Sequence, residues 1–181
     1  ILVHQEEPLA FLNLIFVGCM FYNNSNPSKG GALYYGYNQF TANQSLRFYD
    51  CEFVGNTVND EGCALYLQVF QSIGIYDCIF TNNNGTKNNA IYIETEFTCP
   101  DGSTFTGDAS SNFIYITDCI FNGNIGSTTG LNNNKRNKPG AILLGSKTKF
   151  PISIMQCTVK NCSTKKWYTT NWATFLLTSI E

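Results

Sequence analysis

The stretch 77–93 reads DCIFTNNNGTKNNAIYI, and its first seven residues belong to a motif that occurs five times in the chain. The other copies are GCMFYNN (18–24), DCEFVGN (50–56), DCIFNGN (118–124) and QCTVKNC (156–162). The shared pattern is Cys-x-Phe-x-x-Asn, and the fifth copy has Val159 and Cys162 at the Phe and Asn positions. Self-similarity at a period of a few tens of residues is typical of proteins built from stacked repeats.

Two further patterns accompany each copy of the motif. Apolar residues alternate with others just before each cysteine, and this period of two predicts a β-strand. These apolar pairs are Leu14 and Phe16, Leu46 and Phe48, Ile73 and Ile75, Ile114 and Ile116, and Ile152 and Ile154. A short apolar stretch with an alanine follows each copy: GGALYY, GCALYL, NNAIYI, PGAILL and NWATFLL. Each repeat therefore predicts three short strands joined by turns.

The pattern predicts an all-β fold, a single-stranded right-handed parallel β-helix of about five coils with three short strands each. No long stretch has the 3.6-residue period of a helical repeat, which disfavours helical solenoids. We expect residues 1–181 to form one β-helix domain, with coils starting near residues 12, 45, 72, 112 and 151 and loop insertions at 95–111 and 125–138. Because the chain begins at Ile1, we expect it to be part of a longer protein.

The composition narrows the class of protein. Only 13% of the 181 residues are charged and the net charge is −2, which gives no indication of nucleic-acid binding. No apolar run is long enough for a membrane helix. The 22 asparagines and the many Gly, Thr, Tyr and Phe residues favour strands and turns over helices. Eight cysteines, an even number, favour an oxidising compartment, so we expect a secreted protein, extracellular or at the cell surface.

In a parallel β-helix, equivalent residues of successive coils lie above one another at strand spacing, roughly 4.8 Å. The motif cysteines then form an internal column, the cysteine column, whose members are Cys19, Cys51, Cys78, Cys119 and Cys157. Its neighbours would be close enough for disulfides, and stacked free thiols are the alternative. No metal site is predicted, because His4 is the only histidine and no Cys-x-x-Cys pair occurs. No cofactor is expected either.

The phenylalanines and asparagines of the motif predict two more columns. The rings of Phe21, Phe53, Phe80 and Phe121 would stack inside the core. An asparagine ladder would lie at a bend, and its members are Asn24, Asn56, Asn83 and Asn124. Each side-chain amide can donate a hydrogen bond to one neighbouring coil and accept one from the other. Asparagine also tolerates the left-handed backbone that a sharp bend requires.

Three copies of the motif place an aspartate before the cysteine: Asp50, Asp77 and Asp118. Carboxylates stacked roughly 5 Å apart would suit the paired acids of a retaining glycosidase or a bound cation. We favour a turn in which each carboxylate accepts a backbone N–H, because Gly18 and Gln156 take the same position in the other copies. No catalytic residue is therefore predicted.

A row of large residues, the tyrosine row, follows the repeat alanines by two positions. Its members are Tyr34, Tyr66, Tyr92 and Phe175, with Leu143 completing the row. If the residues between point inward, this row points outward and could bind sugars or a partner. Ordinary cross-strand stacking is the alternative.

Four Asn-x-Ser/Thr sequences are candidate N-glycosylation sites: Asn23, Asn43, Asn84 and Asn161.

The motifs FYNN, FVGN, FTNN and FNGN alternate with GGAL, GCAL, NNAI and PGAI over nearly the whole chain from about Leu9. This alternation resembles the repeat of the polymorphic outer-membrane protein family, which consists of surface adhesins and autotransporter passengers with right-handed β-helices. The resemblance implies a β-helix with an adhesive or structural role at a cell surface. Only the first copy keeps the full Gly-Gly-Ala-Leu of that family.

We therefore expect a non-enzymatic extracellular structural or adhesive surface protein, which could be a filament subunit assembling through stacked β-helices. The expected partners are other copies of the chain, other surface proteins or glycans. The alternative is a carbohydrate-active enzyme or carbohydrate-binding module of pectate-lyase-like fold. An enzyme of that kind would need acids clustered with Arg or Lys on one strand face. Arg47 is the only basic residue that we place on a strand beside an Asp of the repeat.

Overall fold

The computed structural model describes residues 2–3, 13–36, 45–59, 62–68, 72–85, 89–98, 104–106, 112–126, 140–144 and 150–164. Regular structure in these segments consists of β-strands, which are arranged as a parallel β-helix of about five coils. The predicted all-β fold is confirmed. None of the described segments contains a helix that could cross a membrane.

Four parallel sheets of five strands each form the walls of the β-helix. The first sheet contains β2 (Asn13–Val17), β6 (Ser45–Tyr49), β10 (Ile73–Tyr76), β16 (Ile114–Thr117) and β20 (Ile152–Met155). The second contains β3 (Met20–Tyr22), β7 (Glu52–Val54), β11 (Ile79–Thr81), β17 (Ile120–Asn122) and β21 (Thr158–Lys160). The third contains β4 (Ser25–Asn26), β8 (Thr57–Val58), β12 (Asn84–Gly85), β18 (Ile125–Gly126) and β22 (Ser163–Thr164). The fourth contains β1 (Leu2–Val3), β5 (Leu33–Tyr35), β9 (Leu65–Gln68), β13 (Ile91–Glu94) and β19 (Ile142–Leu144).

We number the coils 1 to 5 after their strands in the first sheet, so that coil 1 begins with β2 and coil 5 with β20. Each coil runs through the first, second and third sheets and, where it is described, the fourth. The sequence predicted three strands per coil and missed the third-sheet strands, which have only two residues. Two residues are too few to show a period of two, so these strands carry no sequence signal.

The register between coils follows the motif residue by residue. Phe80 lies opposite Phe53 in coil 2 and opposite Phe121 in coil 4. A slip of one residue would turn every apolar side chain to the other face of its strand. The constant spacing from cysteine to asparagine therefore fixes the register.

The core is a set of stacked columns inside the four sheets. The rings of Phe21, Phe53, Phe80 and Phe121 stack with centroids 4.7, 4.8 and 4.9 Å apart. Phe48 of the first sheet meets Phe53 edge-on at 5.8 Å, so the aromatic columns of two sheets interlock. Offset and edge-on ring pairs of this kind add about 1 kcal/mol each beyond the burial of their area.

Two columns of left-handed residues make the bends. The bend between the first and second sheets has positive φ at Gly18, Asp50, Asp77, Asp118 and Gln156. The bend between the second and third sheets has it at Asn23, Gly55, Asn82, Gly123 and Asn161. Each residue of this second set comes directly before a position of the asparagine ladder. The left-handed residue of this bend is thus the one before each ladder asparagine and not the ladder asparagine itself.

The predicted insertion 95–111 contains two paired strands. Strands β14 (Glu96–Thr98) and β15 (Thr104–Thr106) pair antiparallel, with Glu96 opposite Thr106. In the second predicted insertion, Ile125 and Gly126 belong to the third sheet, and residues 127–138 lie outside the described part of the chain.

Candidate functional site

The structure brings the five residues of the cysteine column into register at the bend between the first and second sheets. Cys51, Cys78 and Cys119 are fully buried, whereas Cys19 and Cys157 at the two ends are partly exposed. Each thiol donates to the carbonyl oxygen two residues before it, over 3.1 to 3.5 Å. The five residues are free thiols, so the structure holds the stacked-thiol alternative and not the disulfide one.

The position of a thiol in the column changes its acidity. Burial raises the pKa of Cys51 to about 11. Hydrogen bonding to the sulfurs of Cys157 and Cys78, together with burial, raises the pKa of Cys119. The same hydrogen bonding with Cys119 lowers the pKa of Cys157 to about 7. The column therefore has an acidic thiol at its partly exposed coil 5 end.

The asparagine ladder satisfies every polar atom of its central side chains. Asn83 Nδ2 donates to Asn124 Oδ1 at 3.0 Å and to the Phe53 carbonyl oxygen at 2.9 Å. Asn83 Oδ1 accepts from the backbone N and the Nδ2 of Asn56, at 3.0 and 2.9 Å. Asn56, Asn83 and Asn124 are all fully buried. Buried amides without such partners would destabilise the fold.

The two ends of the ladder differ. At coil 1, Asn24 Nδ2 donates to Asn56 Oδ1 at 2.9 Å, while Asn24 itself is exposed. No donor among the described residues reaches Asn24 Oδ1. At coil 5, Asn124 Nδ2 donates to Cys162 Sγ at 3.6 Å, so a thiol takes the fifth position of the ladder.

The aspartates of the motif belong to the backbone turn. Asp50, Asp77 and Asp118 have φ values of 50°, 53° and 54°, and their side chains are exposed. Their backbone N–H groups donate to the next coil at 3.0 to 3.2 Å. The predicted bond from a backbone N–H to each carboxylate does not occur in the described segments. The left-handed backbone and the inter-coil bonds thus make this bend.

The tyrosine row stacks, but most of it is not exposed. Ring centroids are 5.3 Å apart for Tyr34 and Tyr66 and 4.7 Å apart for Tyr66 and Tyr92. Tyr66 is only 1% exposed and Tyr92 only 8%, so the predicted exposed face is wrong for these two residues. Phe175 lies outside the described residues, as does the side chain of Leu143. The cross-strand stacking alternative describes this row.

Polar contacts that the sequence did not predict surround the row. Lys29 Nζ donates to Tyr66 Oη at 2.8 Å and lies 4.5 Å from the centre of its ring. Beside it, Tyr34 Oη donates to Gln68 Oε1, and Gln68 Nε2 donates to Glu94 Oε2, both at 3.3 Å. Lys29 comes before β5 of coil 1 and contacts Tyr66 on β9 of coil 2. It belongs to no repeated pattern, so no sequence signal identified it.

The candidate glycosylation sites differ in their surroundings. Asn23, Asn84 and Asn161 are exposed, and Asn161 Nδ2 donates to Asn122 Oδ1 at 3.1 Å. Asn43 lies outside the described residues. Modification of these residues stays a prediction.

Comparison with known proteins adds no relative. The chain matched no family model, no curated protein and no solved structure. Within the described segments, no three His, Cys, Asp or Glu side chains are grouped so that they could hold a metal ion.

Proposed function

We propose that this chain is a non-enzymatic structural or adhesive protein of the cell surface or the extracellular space, and that it assembles through stacking of its β-helix coils. The observation that carries the proposal is the contrast between inner and end coils. Inward residues of the first sheet in coils 2 to 4 are at most 2% exposed. Their counterparts at the ends are only partly buried: Leu14, Phe16, Ile152 and Ile154. Among the described residues, no strand of the first three sheets lies beyond coil 1 or coil 5, whereas β1 pairs with β5 in the fourth sheet.

Hydrogen bonding supports the same proposal. Each inner coil bonds to both neighbours, as when Ile79 N donates to Cys51 O and Ile120 N donates to Cys78 O, both at 2.9 Å. The strand at the edge of a sheet presents unpaired N–H and C=O groups. A second copy placed with its coil 1 against coil 5 would continue the first three sheets in the same register.

A surface location is supported by the repeat. The alternation of Phe-x-x-Asn and Gly-Gly-Ala-Leu motifs resembles that of the polymorphic outer-membrane protein family, and exposed Asn-x-Ser/Thr sequences suit a secreted protein. Other surface proteins and glycans are the further partners that an adhesive role would imply. Glycan-array binding by the purified chain measures that part of the proposal.

Two neighbouring residues of β20 provide the test of assembly. Ile154 points into the core at the open end of coil 5, whereas Met155 points outward and is 49% exposed. We expect the wild-type chain to form end-stacked rods in electron micrographs and the variant Ile154→Lys to stay monomeric. The control Met155→Lys should assemble as the wild type does.

Circular dichroism must first show that both variants keep their strands. A folded wild-type chain that sediments as a monomer at high concentration would contradict the proposal. Equal assembly by the two variants would show that the open end of coil 5 is not the contact.

A further inference from the structure

We propose that Cys119 and Cys157 form a redox-active dithiol, in which Cys157 reacts with a disulfide oxidant and Cys119 then completes a disulfide between coils 4 and 5. This goes beyond the proposed function and does not depend on assembly. It rests on the register of the two cysteines, on the direction of their side chains and on their unequal access to solvent.

The two cysteines occupy the same place in neighbouring coils. Met155 lies opposite Thr117 and Thr158 lies opposite Ile120, so the cysteines between them face each other at the bend. Thr158 N donates to the Cys119 carbonyl oxygen at 2.9 Å, which holds the two backbones at strand spacing. That spacing lies within the Cα–Cα range of disulfides, about 4.4 to 6.8 Å.

The thiol of Cys157 points toward coil 4. Its Sγ donates to the Ile116 carbonyl oxygen of that coil at 3.4 Å, as well as to Met155 in its own strand at 3.3 Å. Cys119 Sγ donates to the Thr117 carbonyl oxygen at 3.2 Å. Cys119 Sγ also donates to the Ile75 carbonyl oxygen of coil 3 at 3.5 Å, so each thiol points toward the preceding coil in the same way. Hydrogen bonding between the two sulfurs contributes to the pKa shifts of both.

Access to solvent makes the pair asymmetric. Cys119 is fully buried, whereas Cys157 is partly exposed at the end of the column. Hydrogen bonding with Cys119 lowers the pKa of Cys157 to about 7, although burial and the charge of Asp118 oppose this shift. The thiolate is the reactive form of cysteine, so Cys157 is suited to meet an external reagent first. Cys51, fully buried with a raised pKa, is not.

The reaction balances as two thiol–disulfide exchanges. The Cys157 thiolate attacks one sulfur of a small disulfide such as oxidised glutathione, forms a mixed disulfide and releases one glutathione thiolate. Cys119 gives up its proton, attacks Cys157 Sγ and releases the second glutathione thiolate. The two protons of the protein thiols end on the two glutathione thiols. The protein pair is oxidised by two electrons and the glutathione disulfide is reduced by two.

The cross-link would act where the repeat is weakest. Coil 5 has Val159 and Cys162 in place of the ring and the amide of the motif, and its inward residues are only partly buried. A disulfide to coil 4 would replace part of the lost stacking and hold the last described coil in place. Oxidation should therefore raise the melting temperature of this end of the β-helix.

The test treats the reduced full chain with oxidised glutathione, blocks the remaining thiols by alkylation and maps the linkage by mass spectrometry without reduction. Trypsin releases Cys157 in the peptide 150–160, apart from Cys162. Chymotrypsin, which cuts after Tyr115, separates Cys119 from Cys99. We expect a single linked pair, Cys119 with Cys157, while Cys51 and Cys78 are recovered alkylated.

Variants distinguish the role of Cys157, which reacts with the oxidant first, from that of Cys119, which completes the disulfide. Cys119→Ala should trap a glutathione mixed disulfide on Cys157, and Cys157→Ser should leave Cys119 reduced and abolish the rise in melting temperature. The matched control Cys162→Ala, which removes the other partly buried thiol of coil 5, should form the link as the wild type does. A stable mixed disulfide on the wild type, a link through Cys162 or Cys99, or no oxidation of the folded chain would each overturn the proposal.

Discussion

At the scale of the residue, Asn83 shows how a polar side chain can lie in a core with all its hydrogen-bonding groups satisfied. Its amide makes two donated and two accepted hydrogen bonds, all to neighbouring coils. A side-chain amide has two donor hydrogens and an oxygen with two lone pairs, so none of its capacity is left over. Within the asparagine ladder, replacing one residue leaves hydrogen-bonding groups without a partner in both neighbouring coils.

Replacement of Asn83 by alanine is therefore expected to lower the free energy of unfolding by about 3 kcal/mol. It removes the acceptor of the Asn56 backbone N and Nδ2, the side-chain donor to the Phe53 carbonyl oxygen and one of the two donors to Asn124 Oδ1. The adjacent Asn84 is exposed, and Asn84→Ala should change the free energy by less than about 0.5 kcal/mol. Urea unfolding followed by circular dichroism measures both. Equal losses for the two variants would show that the ladder hydrogen bonds of Asn83 do not stabilise the fold.

At the scale of the element, the bends depend on the backbone more than on side-chain bonds. Gly18 and Gly62 both have positive φ, at 60° and 68°. An added Cβ at Gly18 would meet nothing within 4 Å, whereas at Gly62 it would lie 2.3 Å from the Leu65 carbonyl oxygen. Aspartate occupies the position of Gly18 in three other coils, which agrees with the open space there.

This contrast predicts different effects of alanine at the two glycines. Gly18→Ala should cost only the strain of a left-handed residue, about 1 kcal/mol. Gly62→Ala adds an overlap with backbone atoms that cannot move away cheaply, so we expect about 3 kcal/mol. Thermal unfolding of the two variants gives the comparison. A Gly18→Ala variant that is as unstable as Gly62→Ala would show that open space does not decide the outcome.

The strands and bends that the sequence predicted correctly are those formed by stacking of equivalent residues in neighbouring coils. The alternation before each cysteine gave the first sheet, and the fixed distance from Cys51 to Asn56 gave the bend and the ladder. The sequence did not predict contacts and strands that depend on residues outside the repeated motifs. Lys29 contacts Tyr66 from a turn, and the third-sheet strands depend on pairing between two-residue segments. No local pattern contains that information, because the contact is made by another part of the chain.

At the scale of the whole molecule, stability is expected to be the sum of contacts between neighbouring coils. The ring of Phe80 stacks on both sides, against Phe53 and Phe121. Val159 ends the same column in coil 5, and the residues around it are only partly buried. The described coils are therefore expected to open from coil 5 and not from the middle.

Native-state hydrogen exchange tests this order of opening. Amides of β11 in coil 3 should be protected up to the global free energy of unfolding, whereas amides of β21 in coil 5 should exchange through local opening. Oxidation of the Cys119–Cys157 pair should slow exchange in β21 and leave β11 unchanged. Uniform protection along the rod would show that the coils unfold as one unit.

The asparagine ladder also makes the rod electrically polar. Each of the four amide nitrogens donates one hydrogen to the ladder position of the following coil. The second hydrogen of Asn56, Asn83 and Asn124 Nδ2 goes to a carbonyl of the preceding coil, but the bonds along the ladder all run in one direction. Their dipoles therefore add along the axis, as peptide dipoles add along an α-helix. The negative end of this ladder dipole lies at Asn24 in coil 1, and its positive end points toward coil 5, where Asn124 Nδ2 of coil 4 donates to Cys162 Sγ. In the proposed assembly, head-to-tail contact would bring opposite ends of this dipole together and head-to-head contact would bring like ends together, so the ladder would favour one direction of stacking.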